Sequence, residues 1–185
     1  MWFDTSHEGV DEQLLVVVFG PSGSGKTTIV REMTKDKRVG EIVSTTSRPK
    51  RKNEKEGKDY YFVSFEEAQR LLAEGQFVEH TIYDGHIYGI TKQEINAKLQ
   101  NYPLAVVVTD ITGLKQLELQ YGDKVFKVHI GADPVHLVDR LLKRGDAVVD
   151  VLRRLRTVEK ELANWVYADV VFNSSRHRSK EIAEQ

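Results

Sequence analysis

The feature that most limits how this chain can fold is a glycine-rich octapeptide between an apolar run and a helical stretch. Residues 20–27 read GPSGSGKT, after the run LLVVVF and before TIVREM. This fits the pattern G-x-x-x-x-G-K-[ST], whose glycines let backbone N–H groups surround a phosphate while the following helix adds a partial positive charge. Because the motif needs a buried strand before it and a helix after it, the sequence predicts an α/β fold and a site for a nucleoside triphosphate.

Particular side chains of this loop carry the predicted chemistry. Lys26 is expected to reach the β- and γ-phosphates, and the Thr27 hydroxyl to bind Mg²⁺. Asp110 closes the apolar segment LAVVVTD, where a second acidic ligand for Mg²⁺ is expected. The alternative, that Asp110 only caps the next helix, is equally open. The predicted triphosphate-binding residues of the loop are Gly20, Pro21, Ser22, Gly23, Ser24, Gly25, Lys26, Thr27 and Thr28.

Short β-branched runs alternate with stretches of helical spacing along most of the chain. The runs lie at 14–19, 104–108, 125–130 and 169–172, and helical spacing is found at 28–33, 65–74, 91–99, 113–121, 134–144 and 148–165. Such alternation is typical of a parallel sheet covered by helices on both faces.

One region interrupts this alternation. It contains the charged stretch RPKRKNEKEGK and the segment FVEHTIYDGHIYGI, in which Asp84-Gly85 predicts a hairpin turn. The expected organisation is a polar leader over 1–13 and one domain over 14–185. The core of that domain takes 14–43 and 104–185, and a smaller strand-containing insertion takes about 44–90.

The composition excludes several classes of protein. The chain of 185 residues has no cysteine, which excludes disulfides, thiolate metal sites and a thiol nucleophile. With 27 basic and 28 acidic residues, it is not built to coat nucleic acid or an anionic membrane. Its acidic amino terminus is the reverse of a signal peptide, and its apolar runs are far shorter than the roughly 18 residues of a membrane helix. We therefore expect a cytoplasmic protein with small-molecule partners, no nucleic acid and no membrane, as a monomer or homodimer.

Two groups of arginines indicate a second phosphorylated molecule. Arg48 and Arg51 lie near Tyr60 and could clamp a phosphate by forked hydrogen bonds. Arg140 and Arg144 are four residues apart and share a helix face, with three more arginines beyond. The alternative is that these are solvated surface charges. The chain lacks the N-K-x-D motif of switch GTPases and has little room for the modules of a motor, which leaves small-molecule kinases.

In this order, the segments GPSGSGKTT, STTSRPKRKNEKEGKDYYFVS, FVEHTIYDGHIYGI, DRLLKRG and VVFN resemble the guanylate kinase family. The resemblance covers about residues 14–182. It implies a P-loop kinase with a parallel β-sheet core flanked by helices, an inserted nucleoside-monophosphate-binding subdomain and a helical lid, here at about 140–156. It also implies transfer of the γ-phosphoryl group of MgATP to GMP or dGMP, with Mg²⁺ as the cofactor.

The resemblance assigns roles to individual residues. The acceptor is held by Ser44, Arg48, Arg51, Tyr60, Glu79, Tyr88 and Asp110; within this set, Glu79 accepts hydrogen bonds from guanine, and the arginines and tyrosines hold the phosphate. Asp110 is thus either an acceptor or a metal ligand, and Thr27 is the other metal ligand. The residues implied in catalysis are Lys26, Arg48, Arg144 and Arg154. Arg140 and Asn173 are implied in binding ATP.

The sequence also departs from the family. Where the family has tyrosine, glycine and then threonine or serine, this chain has Tyr88-Gly89-Ile90, so a hydroxyl that meets guanine is missing. Thr91 could compensate. The departure predicts a relaxed or shifted base preference, and two alternatives follow. One is a P-loop kinase acting on another nucleoside monophosphate or a phosphorylated sugar, and the other is an inactive module that binds phosphopeptides or RNA.

Overall fold

The computed structural model describes residues 13–143 and 148–185. Residues 1–12 of the predicted leader and Arg144 lie outside the described residues. The strands are β1 (Leu14–Phe19), β2 (Val39–Glu41), β3 (Thr45–Thr46), β4 (Tyr61–Phe62), β5 (Phe77–Tyr83), β6 (His86–Thr91), β7 (Leu104–Val108), β8 (Val125–Gly131) and β9 (Val170–Asn173). The helices are α1 (Lys26–Met33), α2 (Phe65–Ala73), α3 (Lys92–Asn101), α4 (Ile111–Tyr121), α5 (Pro134–Lys143), α6 (Val148–Ala163) and α7 (Ser179–Ala183).

The β-branched runs build a parallel sheet of five strands in the order β2-β7-β1-β8-β9. The parallel α/β core predicted from the alternating pattern is therefore present. Because the strands are parallel, their carboxyl ends meet at one edge, where open α/β sheets bind ligands. The glycine-rich loop follows β1 and Asp110 follows β7, its neighbour in the sheet, so both lie at this edge.

Strand β1 is buried on both faces, which explains its unbroken apolar sequence. Successive side chains of a strand point to opposite faces. Leu15 and Val17 accordingly pack into one core cluster, and Val16 and Val18 into a second cluster with residues of α1. Each of these fully buried side chains contributes about 1.5–3 kcal/mol relative to an exposed one.

A second sheet is formed by chain that lies between β2 and β7. Its order is β4-β3-β6-β5, with β3 and β4 parallel and the other pairs antiparallel. The hairpin predicted at Asp84-Gly85 joins β5 to β6, and both turn residues have positive φ, at 51° and 74°. Positive φ at both central residues defines the type I′ turn that matches the twist of paired strands.

The element boundaries differ from the sequence predictions by at most two residues. The last strand covers residues 170–173 rather than 169–172, since the Asp169 carboxylate accepts a hydrogen bond from the Lys127 N–H and ends the regular pairing there. The long helix α6 ends at Ala163 and tightens into a 3₁₀ turn over Asn164–Tyr167. Within residues 13–143 and 148–185, every helix is too short or too polar to cross a membrane.

Candidate active site

The glycine-rich loop has the backbone geometry of an anion cradle. Gly20 has φ of 133°, and a Cβ placed there would lie 2.3 Å from the Ile130 carbonyl oxygen, so only glycine fits. Gly25 has φ of 90° and is the N-cap of α1, whose N-terminus therefore faces the loop. The Lys26 Nζ donates to the carbonyl oxygens of Gly20 and Pro21, at 2.7 and 2.9 Å. The lysine thus arches over the loop and places its charge where the phosphates are expected.

Helix α6 braces this loop from the opposite side. The Arg154 Nη1 donates to the Ser22 Oγ at 2.7 Å, and the Ser22 N–H donates to the Glu161 Oε2 at 3.2 Å. The Thr157 hydroxyl donates to the other oxygen of Glu161 at 2.6 Å. Arg154 therefore contacts Ser22 directly, and Glu161, a carboxylate that the sequence reasoning did not single out, holds the backbone of the same residue.

Helix α5 holds the loop through a second arginine. The Arg140 Nη1 donates to the Gly23 carbonyl oxygen at 3.3 Å and to the Ser174 Oγ at 2.8 Å, and its Nη2 donates to the Ser174 carbonyl oxygen at 2.8 Å. Arg140 thus ties the phosphate loop to the turn that follows β9. Asn173 ends β9 just before that turn, and its Nδ2 donates to the Asp133 Oδ1 at 3.2 Å.

The second sheet gathers the residues predicted to hold the acceptor phosphate. The Arg48 guanidinium lies 5.6 Å from the ring centroid of Tyr60, whose ring centroid lies 6.0 Å from that of Tyr88. The Arg48 Nη2 donates to the Glu54 Oε1 at 2.6 Å, and hydrogen bonding to this carboxylate raises the pKa of Arg48. The Arg51 N–H donates to the other Glu54 oxygen at 2.8 Å. Glu54 therefore holds the side chain of Arg48 and the backbone of Arg51. Arg51 itself is exposed.

Two carboxylates, those of Glu79 and Asp110, interact electrostatically beside α4. Burial raises the pKa of the Glu79 carboxyl from its ordinary 4.5 to about 7, with a further contribution from the negative charge of Asp110. The Glu79 side chain lies against α4, since a Cβ on Gly113 would be 3.3 Å from the Glu79 Cγ. The Asp110 Oδ1 accepts hydrogen bonds from the N–H groups of Thr112 and Gly113, at 2.8 and 2.9 Å. Asp110 is thus the N-cap of α4, as the structural alternative held, and it also lies beside Glu79.

The hydroxyl missing at position 90 is not replaced by its neighbour. Ile90 is paired with Glu79 across the hairpin and is fully buried in the core cluster around Leu15. The Thr91 Oγ1 accepts the Glu94 N–H at 3.2 Å as the N-cap of α3. Because successive side chains of β6 point to opposite faces, the Thr91 hydroxyl lies on the other face from Ile90, and the structure gives no support to the idea that Thr91 compensates for Ile90.

A buried carboxylate positions the chain segments that carry Ser44 and Tyr60. The Glu94 Oε1 accepts the Val43 N–H at 3.1 Å, and its Oε2 accepts the Tyr61 hydroxyl at 3.2 Å. The Tyr61 N–H in turn donates to the Ser44 carbonyl oxygen at 2.9 Å. Glu94 therefore fixes the backbone on either side of the predicted acceptor site.

Thr27 and Asp110 are the side chains that fit a magnesium ion. They lie at the same edge of the sheet and offer the hard oxygen ligands that Mg²⁺ prefers. Across residues 13–143 and 148–185, no group of three histidine, aspartate or glutamate side chains could hold a metal alone.

Four side chains that shape this site were missed by sequence reasoning: Glu54, Glu94, Glu161 and Tyr83. Three are carboxylates that accept hydrogen bonds from backbone N–H, arginine or hydroxyl groups; Glu54 takes its partners from within six residues, whereas Glu94 and Glu161 each accept an N–H distant in sequence. The charged stretch RPKRKNEKEGK did contain a signal for one, because an acidic residue close to two arginines is a natural counter-ion. The other three carry no local signature.

Comparisons with known proteins point to one family. The family model described as Guanylate kinase matches residues 12–181. The guanylate kinase of Thermotoga maritima is 36% identical over 152 residues, which is 80% of this chain and 72% of that protein. The guanylate kinase of Clostridium tetani is 31% identical over 175 residues, 93% of this chain and 84% of that protein. The crystal structure of guanylate kinase from Anaplasma phagocytophilum superposes with a TM-score of 0.69 at 27% identity, covering 92% of this chain and 80% of that one.

Proposed function

Because the chain belongs to the guanylate kinase family, we infer that it transfers the γ-phosphoryl group of ATP to GMP and releases GDP and ADP. The structural observation that supports this conclusion is the set of side chains on one face of the paired strands β5 and β6. Glu79 and Tyr88 lie on that face, and Tyr88 adjoins Tyr60 and Arg48. This arrangement supports the proposal that Glu79 reads the base and that the neighbouring cluster holds the phosphate.

We propose that Glu79, Asp110 and Ser44 read the guanine base. Guanine presents a ring N–H and an exocyclic amino group side by side, and an ionised carboxylate accepts from both. The Arg48 and Arg51 guanidinium groups, with the Tyr60 and Tyr88 hydroxyls, would hold the acceptor phosphate. The same contacts would serve dGMP, because none of these residues is assigned to the 2′-hydroxyl.

On the donor side, the proposed site is the phosphate loop with Arg140, Arg154 and Asn173 around it. An oxygen of the GMP phosphate attacks the γ-phosphorus, and the bond from that phosphorus to the bridging oxygen of ADP breaks. The attacking oxygen is already anionic near neutral pH, so no general base is required. Lys26, the loop N–H groups and the arginines stabilise charge on the transferring group and hold the two polyanions in line.

We propose that Thr27 holds Mg²⁺ together with ATP, whereas Asp110, whose charge acts on Glu79, belongs to the acceptor site. When bound, the ion neutralises charge on the phosphate oxygens. The Thr27 hydroxyl oxygen, in the first turn of α1, supports this assignment.

The second sheet matches the insertion proposed for about 44–90, and α6 begins within the lid proposed for about 140–156 and continues to Ala163. Their approach to the core would exclude water, which otherwise competes with GMP for the γ-phosphoryl group. We also propose that the protein works in the cytoplasm on small nucleotides rather than nucleic acid, as a monomer or homodimer. The nearly balanced charge supports small-molecule partners.

The test is a coupled ADP-release assay with GMP, dGMP, dTMP, AMP and ribose bisphosphate as acceptors. GMP is expected to have the highest kcat/KM, and Glu79→Gln to lower the value for GMP alone. The family match and the intact phosphate loop favour this reading over an altered acceptor or an inactive binding module. Turnover of AMP, dTMP or the sugar phosphate in preference to GMP would overturn it, as would ATP binding without turnover of any acceptor.

A further inference from the structure

Two consecutive residues of α6 contact two different parts of the molecule, the phosphate loop and the second sheet. Arg154 contacts the phosphate loop, where its Nη1 lies 2.7 Å from the Ser22 Oγ. Arg153 contacts the second sheet, where its Nη2 donates to the Tyr83 hydroxyl at 3.1 Å and its Cζ lies 5.9 Å from the centroid of the Tyr83 ring. One turn of helix thus touches both the donor-binding and the acceptor-binding parts of the molecule.

Tyr83 belongs to the strand face that carries the acceptor-binding residues. Side chains at positions 79, 81 and 83 share one face of β5, since alternate residues of a strand point the same way. Thr81 is paired with Tyr88, so the Tyr88 side chain points to this face as well. A displacement of Tyr83 therefore moves the strand that presents Glu79, about 13 Å further along.

The contact between Arg153 and Tyr83 is suited to joining α6 to β5 rather than to stabilising the fold. Tyr83 is 56% exposed, and the Arg153 residue is exposed too. Exposed contacts of this kind add little to the free energy of unfolding. A tyrosine offers a hydroxyl acceptor and a ring face at the same time, and an arginine can use both.

On the basis of the proposed function, we propose that Arg153 and Tyr83 form a positioning pair that couples ATP binding to GMP binding by holding α6 against β5. ATP at the phosphate loop fixes Ser22 and, through Arg154, fixes α6. Arg153 then holds Tyr83, and β5 presents its acceptor-binding face to the donor. Because coupling between two sites is reciprocal, GMP must favour ATP binding by the same factor.

The test measures the GMP dissociation constant by calorimetry with and without a non-hydrolysable ATP analogue and Mg²⁺. In the unmodified protein, the analogue is expected to tighten GMP binding by about three- to tenfold, the usual effect of one exposed hydrogen bond with a stacked cation. In Tyr83→Leu and in Arg153→Gln the factor is expected to fall to about one. Tyr83→Phe, which keeps the ring, should give an intermediate factor.

The neighbouring residue provides the matched control. Ile82 is 63% exposed, precedes Tyr83 and points to the other face of β5, so Ile82→Ala should leave the factor unchanged. The double variant of Tyr83→Leu and Arg153→Gln should behave like either single variant, because each single change already removes the same contact. Their melting temperatures should match that of the unmodified protein.

Kinetics provide a second readout. The single variants should raise the GMP KM at saturating ATP and release more ADP by hydrolysis when GMP is absent. A coupling factor that persists in both single variants would refute the proposed pair, and so would additive effects in the double variant or an equal loss in Ile82→Ala. These outcomes are distinct from failure of the proposed function, in which the unmodified protein itself would not phosphorylate GMP.

Discussion

Replacing Glu79 by glutamine should stabilise the protein while impairing GMP binding. The fold raises the pKa of this carboxyl from 4.5 to about 7, through burial and through the nearby charge of Asp110. In the folded state the group therefore binds its proton more tightly than in the unfolded state. Raising the pH through this range favours the unfolded chain, so ionised Glu79 destabilises the fold at neutral and alkaline pH.

The size of the effect follows from the shift. A rise from 4.5 to about 7 corresponds to about 3 kcal/mol once the pH exceeds 7, and the residual exposure of Glu79 reduces this to about 2 kcal/mol. Glu79→Gln should therefore raise the melting temperature at pH 8 by about 6 °C for a chain of this size. At pH 5, where the folded protein already holds the proton, the gain should fall below about 1 kcal/mol.

The assay is thermal unfolding of Glu79→Gln and the unmodified protein at pH 5 and pH 8, with Glu159→Gln as the control. Glu159 is an exposed residue of α6, so its replacement should change little at either pH. The reasoning is refuted if Glu79→Gln is less stable than the unmodified protein at pH 8, or if its advantage is the same at both pH values.

The same ionisation should appear in the affinity for the base. Guanosine lacks a phosphate, and its binding should tighten by about tenfold between pH 6 and pH 8, as the ionised fraction of Glu79 rises from about one tenth to nine tenths. GMP itself is less suitable, since the second pKa of its phosphate is near 6. In Glu79→Gln the pH dependence should disappear, and the GMP KM should rise about tenfold or more. Guanosine binding that is flat between pH 6 and pH 8 would contradict this assignment.

Other replacements test the remaining parts of the site. Lys26→Ala should lower kcat by about a hundredfold or more with an unchanged melting temperature, and an equally active variant would contradict the donor site. Glu94→Ala should raise the GMP KM and leave the ATP KM nearly unchanged in steady-state assays, whereas a variant that affects both alike would make Glu94 merely structural. Glu54→Gln should raise the GMP KM several-fold, because Arg48 loses its ion pair, and the effect should vanish in an Arg48→Ala background.

The phosphate loop and the core sheet could be predicted from the sequence because their signals are local. An apolar run, a glycine pattern and a helical stretch follow one another within twenty residues. The hairpin at Asp84-Gly85 is equally local, since two adjacent residues fix the turn. The role of Asp110 is ambiguous in the sequence because one carboxylate can both cap a helix and face a binding site; in the structure it caps α4, and its charge acts on Glu79.

The contacts that hold the site together could not be predicted in this way. Glu94 accepts the N–H of Val43 across 51 residues of sequence, and Glu161 accepts that of Ser22 across 139. Periodicity reports which face of an element is apolar and says nothing about which distant N–H a carboxylate will meet. Neither glutamate belongs to a local motif, so the sequence gives no reason to single it out.

The replacement of a hydroxyl by Ile90 has a consequence for how the base is read. Ile90 is paired with Glu79 and fully buried, and the neighbouring Thr91 oxygen already caps α3. The polar groups left to meet guanine under our proposal are those of Glu79, Asp110 and Ser44. Apolar surroundings disfavour the charged form of a carboxylate, so Ile90 beside Glu79 both removes a hydrogen-bonding partner and supports the raised pKa of the one that remains. In such a site, base discrimination depends mainly on Glu79. Ile90→Thr should therefore lower the pKa of Glu79 and weaken the pH dependence of guanosine binding. If Ile90→Thr leaves that pH profile unchanged, the burial of Glu79 must come from α4 alone.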